Sequence, residues 1–269
     1  MAVITLTTDF GTRDAYVAEM KGAILSITRD VHVVDVTHDV APRDILEGAL
    51  ALEAAAPRFP AATIHVAVVD PGVGTARRGL VVAAGEQLFV GPDNGLFTPF
   101  LGEASWRAFE LRAAEFRGAR VSPTFHGRDI FAPAAAHLAR GVEPERFGPA
   151  VTDPVRLVWP EVRVSDDRVG GAVVHVDRFG NLVTSIHADA IASLGSRVAV
   201  RVGGRSLPLV RTYTDLRRGD PGALLGSSDR LEIAVNAGSA AKALGARPGT
   251  PVVVSRTSSG AERRARRRT

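Results

Sequence analysis

Thr63-Ile64-His65-Val66-Ala67-Val68-Val69-Asp70-Pro71-Gly72-Val73-Gly74-Thr75 decides the fold of the first half of the chain. Apart from Thr63 and His65, its first seven residues are apolar at odd and even positions alike, so a strand built from them needs cover on both faces, which is the condition of a parallel sheet flanked by helices. Asp-Pro-Gly then stops the strand in a turn at its carboxyl edge.

The same grammar continues on either side. Val3-Ile4-Thr5-Leu6-Thr7-Thr8 reads as a strand, and Val17, Met20, Ile24 and Ile27 recur at the spacing of an amphipathic helix. His32 to Val36 is a further strand, and Pro42 opens a helix carrying Ile45, Leu46, Ala49 and Leu52. Gly79 to Ala83 and Gln87 to Val90 supply more strands, and an alanine-rich helix is expected from Phe131 through Leu138. These alternations predict an α/β N-terminal domain over residues 1–142 with a mostly parallel sheet.

Pro144, Pro149, Pro154 and Pro160 interrupt a stretch without periodicity, read as a linker over 143–168. Beyond it short strands alternate with turns: Ala172 to Val176 and Leu182 to Ile186 flank Asp177-Arg178-Phe179-Gly180-Asn181, and Val198 to Val202 and Leu207 to Val210 flank Gly203-Gly204. An all-β, barrel-like C-terminal domain over 169–258 is expected, followed by a basic disordered tail over 259–269.

The chain has 269 residues, 45% hydrophobic and 23% charged, the make-up of an ordinary globular protein of two domains. No apolar run of about 18 residues is present and the first residues lack a secretory pattern, so a cytoplasmic protein without a membrane partner is the expectation. Cysteine is absent, which excludes disulfides, thiolate metal sites and a cysteine nucleophile. The net charge of +4 resides wholly in the terminal Arg263, Arg264, Arg266, Arg267 and Arg268 beside Glu262; the body is neutral, and no specific nucleic-acid partner is expected.

Ligands of open α/β sheets collect at the carboxyl ends of the strands. Asp9, Asp35, Asp70 and Asp93 all follow or end apolar strands and are expected to share a pocket, although each alone suits a cap or turn. Asp70-Pro71-Gly72-Val73-Gly74-Thr75 lacks the lysine of a phosphate-binding loop and the GxGxxG spacing of a dinucleotide site. Its glycines admit a ligand to the backbone, Arg77 is placed to hold a buried aspartate, and His126 offers an imidazole for proton transfer. Asp9, Asp70, Asp93, His126 and Asp129 would suit a divalent ion, which keeps a metal-dependent phosphoesterase as an alternative; diagnostic ligand spacing is missing and no metal is expected. No G-x-S-x-G elbow is present.

Taken in order, Thr7-Thr8-Asp9-Phe10-Gly11, Asp70 to Thr75, Gly91-Pro92-Asp93-Asn94-Gly95, Phe125-His126-Gly127-Arg128-Asp129, Asp177 to Asn181 and Ser227 to Asn236 resemble one family over nearly the whole chain. That family is the S-adenosyl-L-methionine (SAM) hydrolases, or SAM hydroxide adenosyltransferases, relatives of the SAM-dependent fluorinase and chlorinase. The resemblance implies attack of water on the ribose C5′ of SAM, giving adenosine and L-methionine, with SAM as substrate and no cofactor. It implies that Asp70, Arg77 and His126 assist the water and that Asp9 holds the ribose hydroxyls. By the same resemblance Asp177 and Ser228 receive the methionine end, Phe179 stacks near adenine, and Asn181 and Ala237 bond its polar edge. Members are typically trimers, with each site between the N-domain of one subunit and the C-domain of the next.

Halogenases of this kind carry aromatics at the positions of Asp70 and His126 and a small or hydroxyl residue at that of Gly127, so hydrolysis is expected over halide transfer. Arg43 departs from the halogenase pattern, where an aromatic stands, and the stretch from Pro99 to Arg107 lacks the additional fluorinase loop. A non-catalytic SAM or adenosine sensor remains the alternative outside enzymes.

Overall fold

The central strands of the first half are buried over consecutive residues, with cover on both faces. In the computed structural model, residues 1–102, 105–195 and 197–257 are described; the basic tail read at 259–269 lies outside them. Strand β1 (Ala2–Thr8) leads into α1 (Tyr16–Ile27), β2 (Val31–Thr37) into α2 (Ile45–Ala55), and β3 (Ile64–Val68) follows. Then come β4 (Gly79–Ala84), β5 (Gln87–Pro92), β6 (Trp106–Glu110) and α3 (Ala132–Ala139). The sheet order is β2-β1-β3-β5-β4-β6.

Strands β2, β1, β3 and β5 are parallel, whereas β4 runs against both β5 and β6. The sheet is therefore mixed, mostly parallel. The short turn at Gly85, with its positive φ of 57°, folds β4 back on β5 and leaves no room for a crossover helix. Trp106–Glu110 was not read as a strand; it is short, and its polar Arg107 and Glu110 dilute the apolar signal.

Parity assigns the two faces. Ile4, Leu6, Val66 and Val68 pack with Met20 and Ile24 of α1 and with Ala132 and Ala135 of α3. Ala67, Val69, Leu80, Val82 and Phe89 pack with Leu52 of α2 and with Val40. The side chain of Asp44 caps α2 by accepting from the Glu47 N–H, so the helix begins after Pro42 rather than at it. Before α3, Gly127–Phe131 forms one wide turn in which the Ala132 N–H reaches back to the Gly127 carbonyl.

The chain divides into two compact units, Met1 to Leu157 and Val158 onward. The segment 143–168 read as a linker splits between them. Its first part is packed: Pro144–Phe147 is a 3-10 turn, Phe147 and Val151 are buried, and Ala150 bridges to Phe109. Prolines here shape a covering segment, which sequence periodicity does not distinguish from a tether.

In the second unit β7 (Arg163–Val164), β8 (Arg168–Val176), β9 (Leu182–His187), α4 (Ala188–Ala192), β10 (Val198–Val202) and β11 (Arg205–Pro208) come first. They are followed by β12 (Pro221–Leu225), β13 (Arg230–Val235), α5 (Ala240–Leu244) and β14 (Pro251–Arg256). The order β11-β10-β14-β8-β9-β13-β12 is antiparallel throughout, with β7 beside β8. A bridge between Leu209 and Ala223 nearly closes the barrel. Its interior holds Val169, Ile186, Val200, Leu231, Ile233, Val252 and Val254. Gly203 and Gly204, both at positive φ, make the two-residue turn between β10 and β11.

Candidate active site

Parallel pairing delivers the first two carboxylates to one place. Thr8 of β1 pairs with Val68 of β3, so Asp9 and Asp70 leave neighbouring strands at nearly the same level. Both line a cavity of about 420 Å³ together with Phe10, Tyr16, Glu19, Arg43, Phe125 and His126.

The loop after β3 is held from several sides. The Asn94 amide donates to the Val69 carbonyl at 2.8 Å, and Thr75 closes the turn by donating from its hydroxyl to the Gly72 carbonyl at 2.7 Å. Gly74 has φ 79°, and a Cβ there would sit 2.5 Å from the Pro123 carbonyl oxygen. Only glycine lets this loop press against residues 122–126, which brings His126 to Asp70.

Arg77 joins the two. Its Nε donates to both Asp70 oxygens at 2.9 and 3.0 Å, and its Nη2 makes a further very short bond to Asp70 Oδ2. Nη2 also lies 2.8 Å from Nδ1 of His126, Nη1 donates to the Arg78 carbonyl, and the guanidinium rests over the Phe131 ring. A guanidinium only donates, so Nδ1 of His126 is the acceptor and the ring proton sits on Nε2. Burial, reinforced by the Arg77 cation and opposed by Asp70, lowers the His126 pKa below the usual histidine value. Arg77 does not line the cavity. It stands behind Asp70 and His126 and is bonded to both.

The shared pocket of four aspartates reduces to two. Asp35 lies within β2, paired with Lys21 and close to His38. Asp93 is buried against Arg78 Nε at 2.7 Å and the Val155 N–H at 2.7 Å. Through Arg78 and Asn94 the Gly91 to Gly95 segment steadies the Asp70 loop instead of facing the cavity. Asp129 is likewise bound to Arg128 and to the Ser122 N–H. Among the described residues no three His, Asp or Glu side chains gather as metal ligands, so the five-residue metal set is not assembled.

Tyr16, Glu19 and Phe10 line the cavity and were not singled out from sequence. Their signal was present: Tyr16 and Glu19, three apart on the first turn of α1, adjoin its buried face of Val17 and Met20. Phe10, Tyr16 and Phe125 meet edge to face with centroids 5.3 to 6.0 Å apart.

In the second unit, Phe179, Asn181 and Ala237 line a hollow of about 540 Å³ with Tyr213, Val235, Asn236 and Gly238. Phe179 is 77% exposed. Asp177 Oδ1 accepts from the Phe179 and Asn181 N–H groups and Oδ2 from the Asn181 amide, all at 2.8 to 2.9 Å. One hydrogen of the Asn181 side-chain amide is thus engaged, and its side-chain carbonyl remains as an acceptor. Tyr213 donates to Glu232 at 2.7 Å, and burial with this bond raises its phenol pKa to about 12. Neither Asp177 nor Ser228 lines this hollow; Ser228 lies in the turn between β12 and β13.

Residues 4–148 match the SAM hydroxide adenosyltransferase N-terminal domain and residues 171–253 the C-terminal domain of the same family. An (R)-S-adenosyl-L-methionine hydrolase of Thermus thermophilus is 43% identical over 94% of this chain and 99% of its own length. One from Salinispora tropica is 43% identical over 91% and 95%. A fluorinase of Actinopolyspora mzabensis is more distant, 32% identical over 95% and 97%. The crystal structure of an uncharacterized conserved protein from Thermotoga maritima superposes with a TM-score of 0.89 at 35% identity, covering 94% of this chain and all of that one. With both family domains in order and this similarity along nearly its whole length, the chain belongs to the SAM hydroxide adenosyltransferase family.

Proposed function

We propose that the protein hydrolyses SAM at the ribose C5′, releasing adenosine and L-methionine. The observation that carries this reading is the wall formed by Asp70 and His126 on one cavity, both clamped from behind by Arg77. A water lone pair forms the C5′–O bond as the C5′–S bond breaks and its electrons return to sulfur. The sulfonium leaves readily, so the protein's task is alignment and exclusion of stray solvent. Because the Nδ1 lone pair of His126 faces the Arg77 guanidinium, Asp70 is the base that accepts the water proton, and the His126 Nε2–H supports the oxygen. No cofactor or metal is called for.

A fixed carboxylate in the wall repels small anions, which disfavours halide as the nucleophile. Asp9 holds the ribose hydroxyls, Phe179 stacks near adenine, and the Asn181 carbonyl and the Ala237 backbone meet its polar edge. Asp177 and Ser228 receive the methionine end. The relatives named (R)-S-adenosyl-L-methionine hydrolase support the R sulfonium epimer as substrate. The family resemblance supports a cytoplasmic homotrimer in which neighbouring copies complete each site; among the described residues no helix is long and apolar enough to cross a membrane.

Incubation with SAM and EDTA in ¹⁸O-water tests the reading. Equimolar adenosine and methionine are expected, with ¹⁸O in the adenosine 5′-hydroxyl. Absence of turnover, dependence on added metal, or chloride-dependent 5′-chloro-5′-deoxyadenosine would overturn it. Light scattering measures the oligomer, and mixing Asp70→Ala chains with Asn181→Ala chains restores a fraction of sites with the wild-type KM if copies share sites.

A further inference from the structure

We propose that His38 is the positioning residue for Asp9, fixing the ribose-binding carboxylate from the loop between β2 and α2. The inference rests on the reading of Asp9 given above and adds a residue to it.

His38 is buried, 5% exposed, and does not line the cavity. Its Nδ1 lies 2.9 Å from Oγ1 of Thr8, the residue before Asp9. The Thr8 hydroxyl oxygen in turn accepts from the N–H of Phe10, the residue after Asp9, at 3.3 Å. The His38 carbonyl accepts from the Gly11 N–H at 2.7 Å. One residue therefore holds both flanks of Asp9, by its ring and by its backbone.

The remaining hold on Asp9 comes from the same loop. The Arg43 N–H donates to Asp9 Oδ2 at 2.8 Å, and Arg43 adopts a φ of 69°, a conformation a non-glycine residue keeps only under external constraint. On its far side, Nε2 of His38 sits 3.1 Å from Asp35 Oδ1, not aimed squarely enough for a well-formed hydrogen bond. Asp35 is itself anchored by Lys21 at 2.7 Å. With the ring proton on Nε2, the chain has one direction: Phe10 N–H to Thr8 hydroxyl, Thr8 hydroxyl to His38 Nδ1, and His38 Nε2–H toward Asp35. Every member has the hydrogen it must donate.

A merely structural histidine would affect stability and little else. A positioning histidine changes affinity for the ribose while leaving the reacting groups intact. The test measures adenosine binding by calorimetry and SAM hydrolysis by chromatography for wild type, His38→Ala, His38→Asn and Thr8→Val. His38→Ala is expected to raise the adenosine Kd and the SAM KM about tenfold with kcat within about threefold. His38→Asn, whose amide takes the place of Nδ1, restores most of the affinity, and Thr8→Val repeats the loss. In an Asp9→Ala background, His38→Ala adds nothing.

Unchanged Kd and KM in both His38→Ala and Thr8→Val overturn the proposal, as does His38→Asn behaving like alanine or full additivity with Asp9→Ala. Should His38→Ala fail to fold, the asparagine and Thr8 variants decide. A wild type that binds adenosine without hydrolysing SAM defeats the proposed reaction but leaves the binding comparison intact; one that binds no adenosine defeats both.

Discussion

The cavity of the first unit and the hollow of the second are built in opposite ways. Asp9, Asp70 and His126 come from distant parts of the chain and meet because β1 and β3 are parallel neighbours and because the Asp70 loop presses on residues 122–126. The hollow is local: the turn from Asp177 to Asn181 bonds to itself, and its Gly180 carbonyl accepts from Ala241 just beyond the segment that completes the wall. One region holds buried charge on a guanidinium, whereas the other offers an open ring and an amide. On the proposed reading the contrast is a division of labour, with water chemistry where charges are fixed from behind and adenine recognition where a flat surface is presented.

The largest expected effect breaks that division if it is false. Asp70→Ala should reduce kcat by about 10³ or more, with the adenosine Kd within about threefold, since it removes the base and not a ribose contact. Equal loss in both would place Asp70 in binding. Arg77→Lys should cost about 10² in kcat, because a lysine cannot hold Asp70 with two nitrogens and meet His126 as well.

Asn181→Ala should raise KM about tenfold with kcat nearly unchanged; steady-state kinetics decides. A fall in kcat alone would move the hollow to the chemical side of the comparison. The pH profile sharpens it further. Burial and Arg77 both lower the His126 pKa, so the neutral ring persists to lower pH than for an ordinary histidine, and protonating it is expected to lower activity by setting an imidazolium against the Arg77 guanidinium. Arg77→Gln removes a cation that lowers this pKa, so the acid limb of kcat should move to higher pH.

The smallest effect concerns stability alone. His65 is fully buried between Thr5 and Phe89, and desolvation pushes its pKa down to about 4. Its folded value lies below the unfolded one, so its neutral form contributes fully above the ordinary histidine pKa, and stability drains as pH falls from there to about 4. The loss is on the order of 3 kcal/mol at most. Denaturant melts of wild type and His65→Asn across that range should show a flatter slope for the variant.

The comparison also explains what the sequence discloses. Apolar runs such as Ile64 to Val69 declare a two-face-covered strand, and Gly203-Gly204 declares its hairpin, because both depend on neighbours in the chain. The role of Asp93 was misread because its partner Arg78, though near in sequence, and Val155, far away, are chosen by packing. A place near a strand end made Asp35 and Asp93 look equivalent to Asp9 and Asp70; their partners Lys21, Arg78 and Val155 separate them. Tyr16 and Glu19 are marked in the sequence only by their place beside the buried face of α1, and their identity does not mark that first turn as a cavity wall.

The Arg77 clamp also constrains substitution. Exchange of Asp70 alone removes the carboxylate that the Arg77 guanidinium holds, and exchange of Arg77 alone removes the cation that holds Asp70, so the two side chains are energetically coupled. A replacement at either position is therefore expected to depend on what stands at the other, as a double-mutant cycle would show.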